Sequence, residues 1–567
     1  MHYSELVSVY EHLGKTSSRL KKIDAIAELL KKTKKGLLSE VVLLVQGRVF
    51  PSWSEKEMGI ASKTTARIIS SSTGFSSRKV SSAYQKTGDF GLVVEKLVEK
   101  KRQKTLFKKR LGIEHVFENL QKLASVEGKG SQERKSRLVS ELIASAEPKE
   151  AKYIIRTLIG DLRVGVAHGI MRDAIAKAFL PKEEKKRAVK AVEWAWFLRS
   201  DYGEVAEIAK SGGLEALRKV KLVLGKPYHV LLAERSGGLK EALGRFENPA
   251  LEYKYDGARL IIHKRGPDVW LYTRRLENIT KQFPEVVEMV KKHITAKDCI
   301  VEGEMLAINR KSGKPMPFQS LSQRIKRKYD IEKMVREIPV EVNLFDIVYL
   351  RGRELFEEPL GKRREKLEGI IKPAKGKLQL AKQLVTKDLK KAESFYREAL
   401  KASQEGLIVK NLEAQYQPGR RVGYWLKVKP VMENLDLVIT GATWGTGKRA
   451  GYFGSFTLSC RKGEGFAECG MIGTGIKEKS EGVTFRQLTK LLKPHIKKRD
   501  GNKVKIKPKI IVEVAYEEIQ KSPNYESGFA LRFPRVLRLR DDKGINDVDA
   551  VERIERLHEQ QRGRSDK

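Results

Sequence analysis

Apolar residues recur at helical spacing through the first 215 or so positions. Leu138, Val139, Leu142 and Ile143 mark one helix. Pro148 opens the next, which carries Tyr153, Ile154, Ile155, Leu158 and Ile159 and stops at Gly160-Asp161. A further helix is predicted from about Gly169 to Phe179, and another around Trp194, Trp196, Phe197 and Leu198. Near residue 216 the period shortens. Leu251-Glu252-Tyr253 reads as extended, and Arg259 to His263 and Val269 to Thr273 flank Gly266-Pro267-Asp268 as a hairpin. Cys299 to Val301 and Val342 to Phe345 read as buried strands, with a helix at Pro284 to His293 between them. From Leu435 the alternation is strand-like (Leu435, Leu437, Ile439, then Phe456, Leu458, Cys460), interrupted by a Gly-rich connection at Gly441 to Gly454. Ile510 to Val514 adds a strand. Short strands with glycine turns predict a small barrel, closed by a charged helix at Asp547 to Gln560 and followed by a disordered end at Gly563 to Lys567.

Composition narrows the function classes. The chain has 567 residues, enough for three or four domains at roughly 150 residues each. The longest apolar run, Val41 to Val45, is far shorter than the ~18–20 residues of a membrane span. The opening residues carry no secretion pattern, and three cysteines cannot build a four-Cys zinc site or a disulfide framework. A cytoplasmic, nucleoid-associated protein is expected. Lys and Arg total 114 against 72 Asp and Glu, a net charge of +42. That excess calls for a polyanion, and neutralising phosphates with release of counterions makes nucleic acid the leading partner.

The strongest chemical signal is Lys254-Tyr255-Asp256-Gly257-Ala258-Arg259. A lysine ends an extended run, glycine permits a sharp turn, and arginine returns five residues on. A nucleophilic lysine must lose a proton that it ordinarily holds up to pH ~10.4, so burial or cationic neighbours such as Arg259 or a metal are expected beside it. The same residues would also suit a plain surface strand.

This segment resembles the nucleotidyl-transfer motif of ATP-dependent DNA ligases, which RNA ligases and mRNA capping enzymes share. Further segments resemble the other motifs of that family, in the same order. Thr273 to Asn278 supplies Arg274. Val301-Glu302-Gly303-Glu304 places Glu304 on the motif carboxylate, and Leu344 to Tyr349 places Phe345 where an aromatic stacks on adenine. Glu405-Gly406-Leu407-Ile408-Val409-Lys410 supplies Glu405 as a metal-binding carboxylate. Arg421, Lys427 and Lys429 follow, and Leu531 to Lys543 resembles the last motif, with Arg540, Asp542 and Lys543. Gly160 to Gly165 resembles part of the DNA-binding domain of the replicative, archaeal and eukaryotic type of ligase.

The resemblance implies a multidomain chain: an all-α N-terminal DNA-binding domain (1–215), an α/β (α+β) nucleotidyltransferase domain (216–429), and a C-terminal β-barrel OB-fold with its closing helix (430–567). It implies a monomer that seals nicked double-stranded DNA in replication, repair and recombination, using ATP and Mg²⁺. Lys254 would carry AMP. Glu252 would recognise the adenine amino group, and Arg259, Arg274, Glu304, Phe345, Arg421, Lys427 and Lys429 would contact nucleotide. Glu304 and Glu405 would be the candidate Mg²⁺ carboxylates. The last motif would ride on a barrel that swings about Lys429 to Asp436.

Gln103-Lys104-Thr105-Leu106-Phe107 resembles a sliding-clamp (PCNA) box shortened by one aromatic, with Gln103, Leu106 and Phe107 as its anchors. Six of residues 101 to 110 are Lys or Arg, which suits an exposed loop rather than a core helix. The competing readings are an RNA ligase or capping-type nucleotidyltransferase and a non-catalytic DNA-binding scaffold. The helical N-terminal region and the barrel argue against the first. The presence of every expected motif position argues against the second. An NAD-dependent ligase would need the four-Cys zinc module that three cysteines exclude.

Overall fold

The computed structural model describes residues 1–100, 110–327, 329–430, 432–445, 449, 451–478 and 482–561. The proposed clamp box, Gln103, Leu106 and Phe107, and the expected disordered end at Gly563 to Lys567 lie outside the described residues. Internal contacts divide the chain into two units. One comprises Met1–Glu234, Gly257–Ala381 and Asn411–Trp425, and the other Arg235–Asp256, Lys382–Lys410 and Leu426–Lys567.

The first unit begins with twelve described α-helices, from Tyr3–Lys15 to Tyr202–Arg218. Their boundaries follow local chemistry. Pro148 occupies the first turn of Pro148–Leu158, where its missing N–H costs nothing, and the Glu150 side chain accepts the Glu147 N–H. Asp89 caps Phe90–Glu99 by accepting from the Gly91 and Leu92 amides, and also binds Arg156 Nη2 at 2.6 Å. That buried pair ties two helices that pack face to face. The Gly160 to Gly165 stretch is a loop in which Gly160, Arg163 and Gly165 all have positive φ, and its Val164 carbonyl accepts from buried Lys22. No helix among the described residues is long and apolar enough to cross a membrane.

The same unit carries a six-stranded sheet. The hairpin Ala258–Arg265 and Asp268–Thr273 forms as its turn residues predict, and Ala258–Arg265 then pairs antiparallel with Asp298–Ala307, which pairs with Val340–Leu350. Helix Pro284–His293 packs Val286 and Val290 into the core under this sheet. Gly303 allows the register shift between Asp298–Ala307 and Val340–Leu350, since a Cβ there would lie 2.7 Å from the Asn343 carbonyl.

The second unit holds a five-stranded sheet that includes Pro249–Tyr253, Leu407–Asn411 and Trp425–Val428, packed on helices Leu239–Gly244 and Leu389–Lys401. It also holds a seven-stranded antiparallel sheet centred on Leu435–Trp444, with a separate two-stranded ribbon, Glu518–Lys521 and Phe529–Arg532.

Two expectations for this region change. The Gly-rich stretch 441–454 is partly strand: Leu435–Trp444 and Phe453–Lys462 pair through it. Gly441 serves close approach rather than a turn, because a Cβ there would lie 2.9 Å from Thr457 Oγ1. The closing α-helix spans Val551–Gln560 rather than starting at Asp547. The Asp549 carboxylate and backbone are bound to the Asp436 and Arg461 main chain, which holds residues 548–550 extended.

Candidate active site

In the second unit, Lys254 follows strand Pro249–Tyr253, and its backbone is fixed from both sides. Lys254 N–H donates to the Gly406 carbonyl and Glu405 N–H donates to the Lys254 carbonyl, each at 2.9 Å. The tight crossing requires Gly406. Its φ is +136°, and a Cβ there would stand 2.2 Å from the Val428 carbonyl. The exchange brings the Glu405 carboxylate to the lysine: Lys254 Nζ is 2.5 Å from Glu405 Oε2, and Lys429 Nζ is 2.8 Å from the same oxygen.

Lys254 thus meets an anion first, with Lys429 as the cation brought next to it. Burial works to raise the Glu405 pKa, but the charges of Lys254 and Lys429 outweigh it and hold the carboxyl far below the ordinary glutamate value. The carboxylate therefore orients Lys254 and is too weak a base to keep its proton.

Two elements of the C-terminal region complete this cluster. Glu517 Oε2 lies 3.1 Å from Lys429 Nζ. Arg532 Nη1 lies 3.1 Å from Glu518 Oε2 and 3.8 Å from Glu405 Oε1. A cavity of about 270 Å³ opens beside these groups, with Glu405, Lys429, Glu517 and Glu518 in its wall. Glu252 is buried in an ion pair with Lys410 at 2.5 Å and accepts from Gln383 Nε2 at 2.9 Å. Lys427 is half-buried on strand Trp425–Val428, and its carbonyl accepts from the Ser236 amide. Arg540 and Lys543 gather elsewhere in this unit. Arg540 Nη1 is 2.9 Å from both Asp436 oxygens, Lys543 Nζ is 2.7 Å from one of them, and Asp542 pairs with Arg540.

The first unit carries a second polar cluster. Gly257 lets the chain leave its turn against the sheet, because a Cβ would lie 2.3 Å from the Met305 carbonyl. Arg259 then pairs across to Glu304 in register, while its guanidinium binds Glu302, two positions along the same strand. The guanidinium lies over the Phe345 ring, 4.3 Å from its centre, and 5.2 Å from the Trp425 ring centre. Burial opposes the Arg259 charge, yet Glu302 outweighs it and raises the pKa above the ordinary arginine value. Arg274 and Arg421 lie at the surface. Partial desolvation lowers the Arg274 pKa, helped by the positive charges of Arg421 and Arg259 and opposed by Glu304. Three of the expected nucleotide-binding arginines and Glu304 therefore sit within electrostatic reach of one another, a setting suited to phosphate.

Sequence reasoning missed several residues of these clusters. Glu302 carries no assigned role in the sequence, although an ionisable residue inside a buried strand run is a signal of pairing. Glu517 and Glu518 are legible only as charges at strand ends, whereas Arg532 falls within the last motif segment, Leu531 to Lys543, with no partner named for it. Tyr228 and Tyr416 read as ordinary aromatics, and Trp425 stands in the motif segment that supplies Lys427 and Lys429 with no role of its own there.

Residues 2–176 match the family model for the DNA ligase N terminus, 230–429 that for the ATP dependent DNA ligase domain, and 449–543 that for the ATP dependent DNA ligase C terminal region. A protein of Nanoarchaeum equitans described as a DNA ligase is 48% identical over 99% of both chains. One of Thermococcus onnurineus, also described as a DNA ligase, is 45% identical over 99% of this chain and 98% of its own. Among solved structures, Pmar-Lig_PreS3 superposes with a TM-score of 0.58 at 16% identity, covering 94% of this chain and 99% of its own, a likeness of fold.

Proposed function

Because the chain belongs to the ATP-dependent DNA ligases, we propose that it seals nicks in duplex DNA with Lys254 as the residue that carries AMP. The observation that supports this most is the placement of Lys254 Nζ against Glu405 and Lys429, fixed by backbone bonds on both sides. In the first step Lys254 Nζ gives its ammonium proton to water and attacks the α-phosphorus of ATP as the neutral amine. A P–N bond forms and the bond to pyrophosphate breaks. The incoming phosphates are natural partners for Lys429 and Lys427, whose present counter-charges include Glu405 and Glu517. In-line geometry and charge stabilisation carry such a transfer. AMP then passes to the 5′-phosphate at the nick, and the 3′-hydroxyl displaces it to close the strand.

Glu252, Arg259, Arg274, Glu304, Phe345 and Arg421 are assigned to nucleotide recognition. Glu405 suits Mg²⁺, since its carboxyl is held ionised and Mg²⁺ is ordinarily bound by one or two carboxylates together with substrate phosphates. Glu304 is the second candidate. Mg²⁺ would neutralise triphosphate charge when bound. Residues 1–215 are assigned to DNA binding, 216–429 to adenylation and 430–567 to an OB-fold bearing Arg540, Asp542 and Lys543. We assign Gln103, Leu106 and Phe107 to a sliding clamp, and the working form to a monomer at the nucleoid, acting in replication, repair and recombination.

The test is nick sealing on an end-labelled duplex with ATP and Mg²⁺. Wild type seals and Lys254→Ala does not. Sealing by Lys254→Ala at the wild-type rate, or sealing of RNA alone, rejects the assignment.

A further inference from the structure

Glu302 is fully buried on strand Asp298–Ala307, and an ionised carboxylate there needs its lone pairs filled. Three side chains fill them. Arg259 Nη2 binds Oε2, and the hydroxyls of Tyr228 and Tyr416 both donate to Oε1. The direction of the Tyr416 hydroxyl is set independently: its oxygen accepts the Leu231 N–H at 2.9 Å, so its proton is left for Glu302. Burial and then Glu302 raise both tyrosine pKa values well above the ordinary one, so both remain donors. Neither tyrosine lies on the strands that carry the arginine or the glutamate. Tyr228 belongs to the segment after helix Tyr202–Arg218, and Tyr416 to the stretch before strand Trp425–Val428.

On the other side, the Arg259 guanidinium lies 4.3 Å from the centre of the Phe345 ring and 5.2 Å from that of the Trp425 ring, and its buried Nε has no hydrogen-bond partner among the described residues. A buried donor left open on a guanidinium that a buried carboxylate already holds through Nη2 marks a group waiting for an acceptor.

We propose that Tyr228 and Tyr416 are positioning residues that act through Glu302 to hold Arg259 in the orientation used for adenylation. The inference rests on the function proposed above. With both phenols on Oε1, the carboxylate cannot rotate, and only Oε2 is presented to the arginine. Removing one phenol frees the carboxylate to turn, and the guanidinium turns with it. A misplacement of about 1 Å at a reacting centre costs on the order of 100-fold in rate, so about 10- to 100-fold is expected for Tyr228→Phe or Tyr416→Phe, each of which keeps its ring packing.

The experiment is single-turnover transfer of label from α-labelled ATP to the full-length protein at a fixed temperature below unfolding. Wild type, Tyr228→Phe, Tyr416→Phe, Arg259→Ala and the combinations with Arg259→Ala are measured over a range of ATP concentrations. The expected result is a fall in the limiting rate for each Tyr→Phe variant and no further fall when either is added to Arg259→Ala. Non-additivity of that kind is the signature of residues acting as a unit. A merely structural role would lower the unfolding temperature and cut the rate by the same factor in both backgrounds. Wild-type rates in Tyr228→Phe and Tyr416→Phe, or full additivity with Arg259→Ala, overturn the proposal while leaving the function intact. Absence of label on wild type overturns the function and the proposal together.

Discussion

Glu405 is a single carboxylate held between two ammonium groups, and its titration reports whether that arrangement exists in solution. Its folded pKa lies below the ordinary value near 4.5, so the stabilisation it contributes is complete above about pH 5 and is lost as pH falls toward the folded value. Glu405→Gln removes the carboxylate that Lys254 and Lys429 share and leaves Lys429 its pair with Glu517. Breaking such a buried pair costs about 3 kcal/mol. Thermal unfolding of wild type and Glu405→Gln from pH 7 to pH 3 should show a gap in midpoint that is widest above pH 5 and narrows with acid. A gap that stays constant across that range would mean that Glu405 is not ionised against the lysines. Lys254 is legible in the sequence as a lysine that ends an extended run before a glycine turn, whereas Glu405 is singled out only by its place in a segment that resembles a ligase motif. That they share an oxygen contact with Lys429 is not legible, since three distant segments meet there.

Among the elements, two glycines decide whether strands can approach. Gly406→Ala places a methyl group against the Val428 carbonyl at a backbone angle L-residues rarely adopt, and Gly257→Ala places one against the Met305 carbonyl. Each should destabilise the protein by about 2–3 kcal/mol or more in urea unfolding, whereas Gly244→Ala, which meets open space, should cost far less. Equal midpoints for all three would contradict the packing.

Two buried histidines set a further dependence on pH. Burial depresses His263 to about 3 and His229 to about 4, against an ordinary 6.5. The unfolded chain therefore binds more protons between those values and 6.5, so stability rises with pH through that window and is complete above 6.5. Replacing both by Gln should flatten the unfolding midpoint between pH 4 and 6.5, and an unchanged slope would refute the assignment. The helices and the first hairpin were readable from periodicity and turn residues. The strand at Gly441 and the later start of the closing helix were not, because a glycine at a crowded sheet centre looks like a turn residue. The hold that Asp549 exerts on residues 548–550 comes from a strand more than a hundred residues away.

For the whole molecule, the excess of 114 basic over 72 acidic residues is the dominant property. Binding to a nicked duplex should weaken by about 1,000-fold between 50 and 200 mM salt, as expected for six or more phosphate contacts. A dissociation constant that does not move with salt would place recognition elsewhere than the phosphate backbone. If the proposed clamp box acts, Phe107→Ala should abolish clamp stimulation without changing intrinsic sealing. Unchanged clamp binding by calorimetry would remove Gln103, Leu106 and Phe107 from that role. The three regions of helix, mixed α/β and short strands were legible from periodicity, and the order of the motifs from their resemblance to a family, whereas the engagement of Arg532 with Glu405 depends on tertiary placement.

The central claim is that Lys254 carries AMP on its way to a nick. The direct measurement is to incubate the protein with α-labelled ATP and Mg²⁺, map the labelled peptide, and then add nicked duplex DNA. Label on the peptide containing Lys254, absent in Lys254→Ala and discharged as AMP while the nick closes, is the predicted result. Label on another residue, or label on Lys254 that nicked DNA does not discharge, would contradict it.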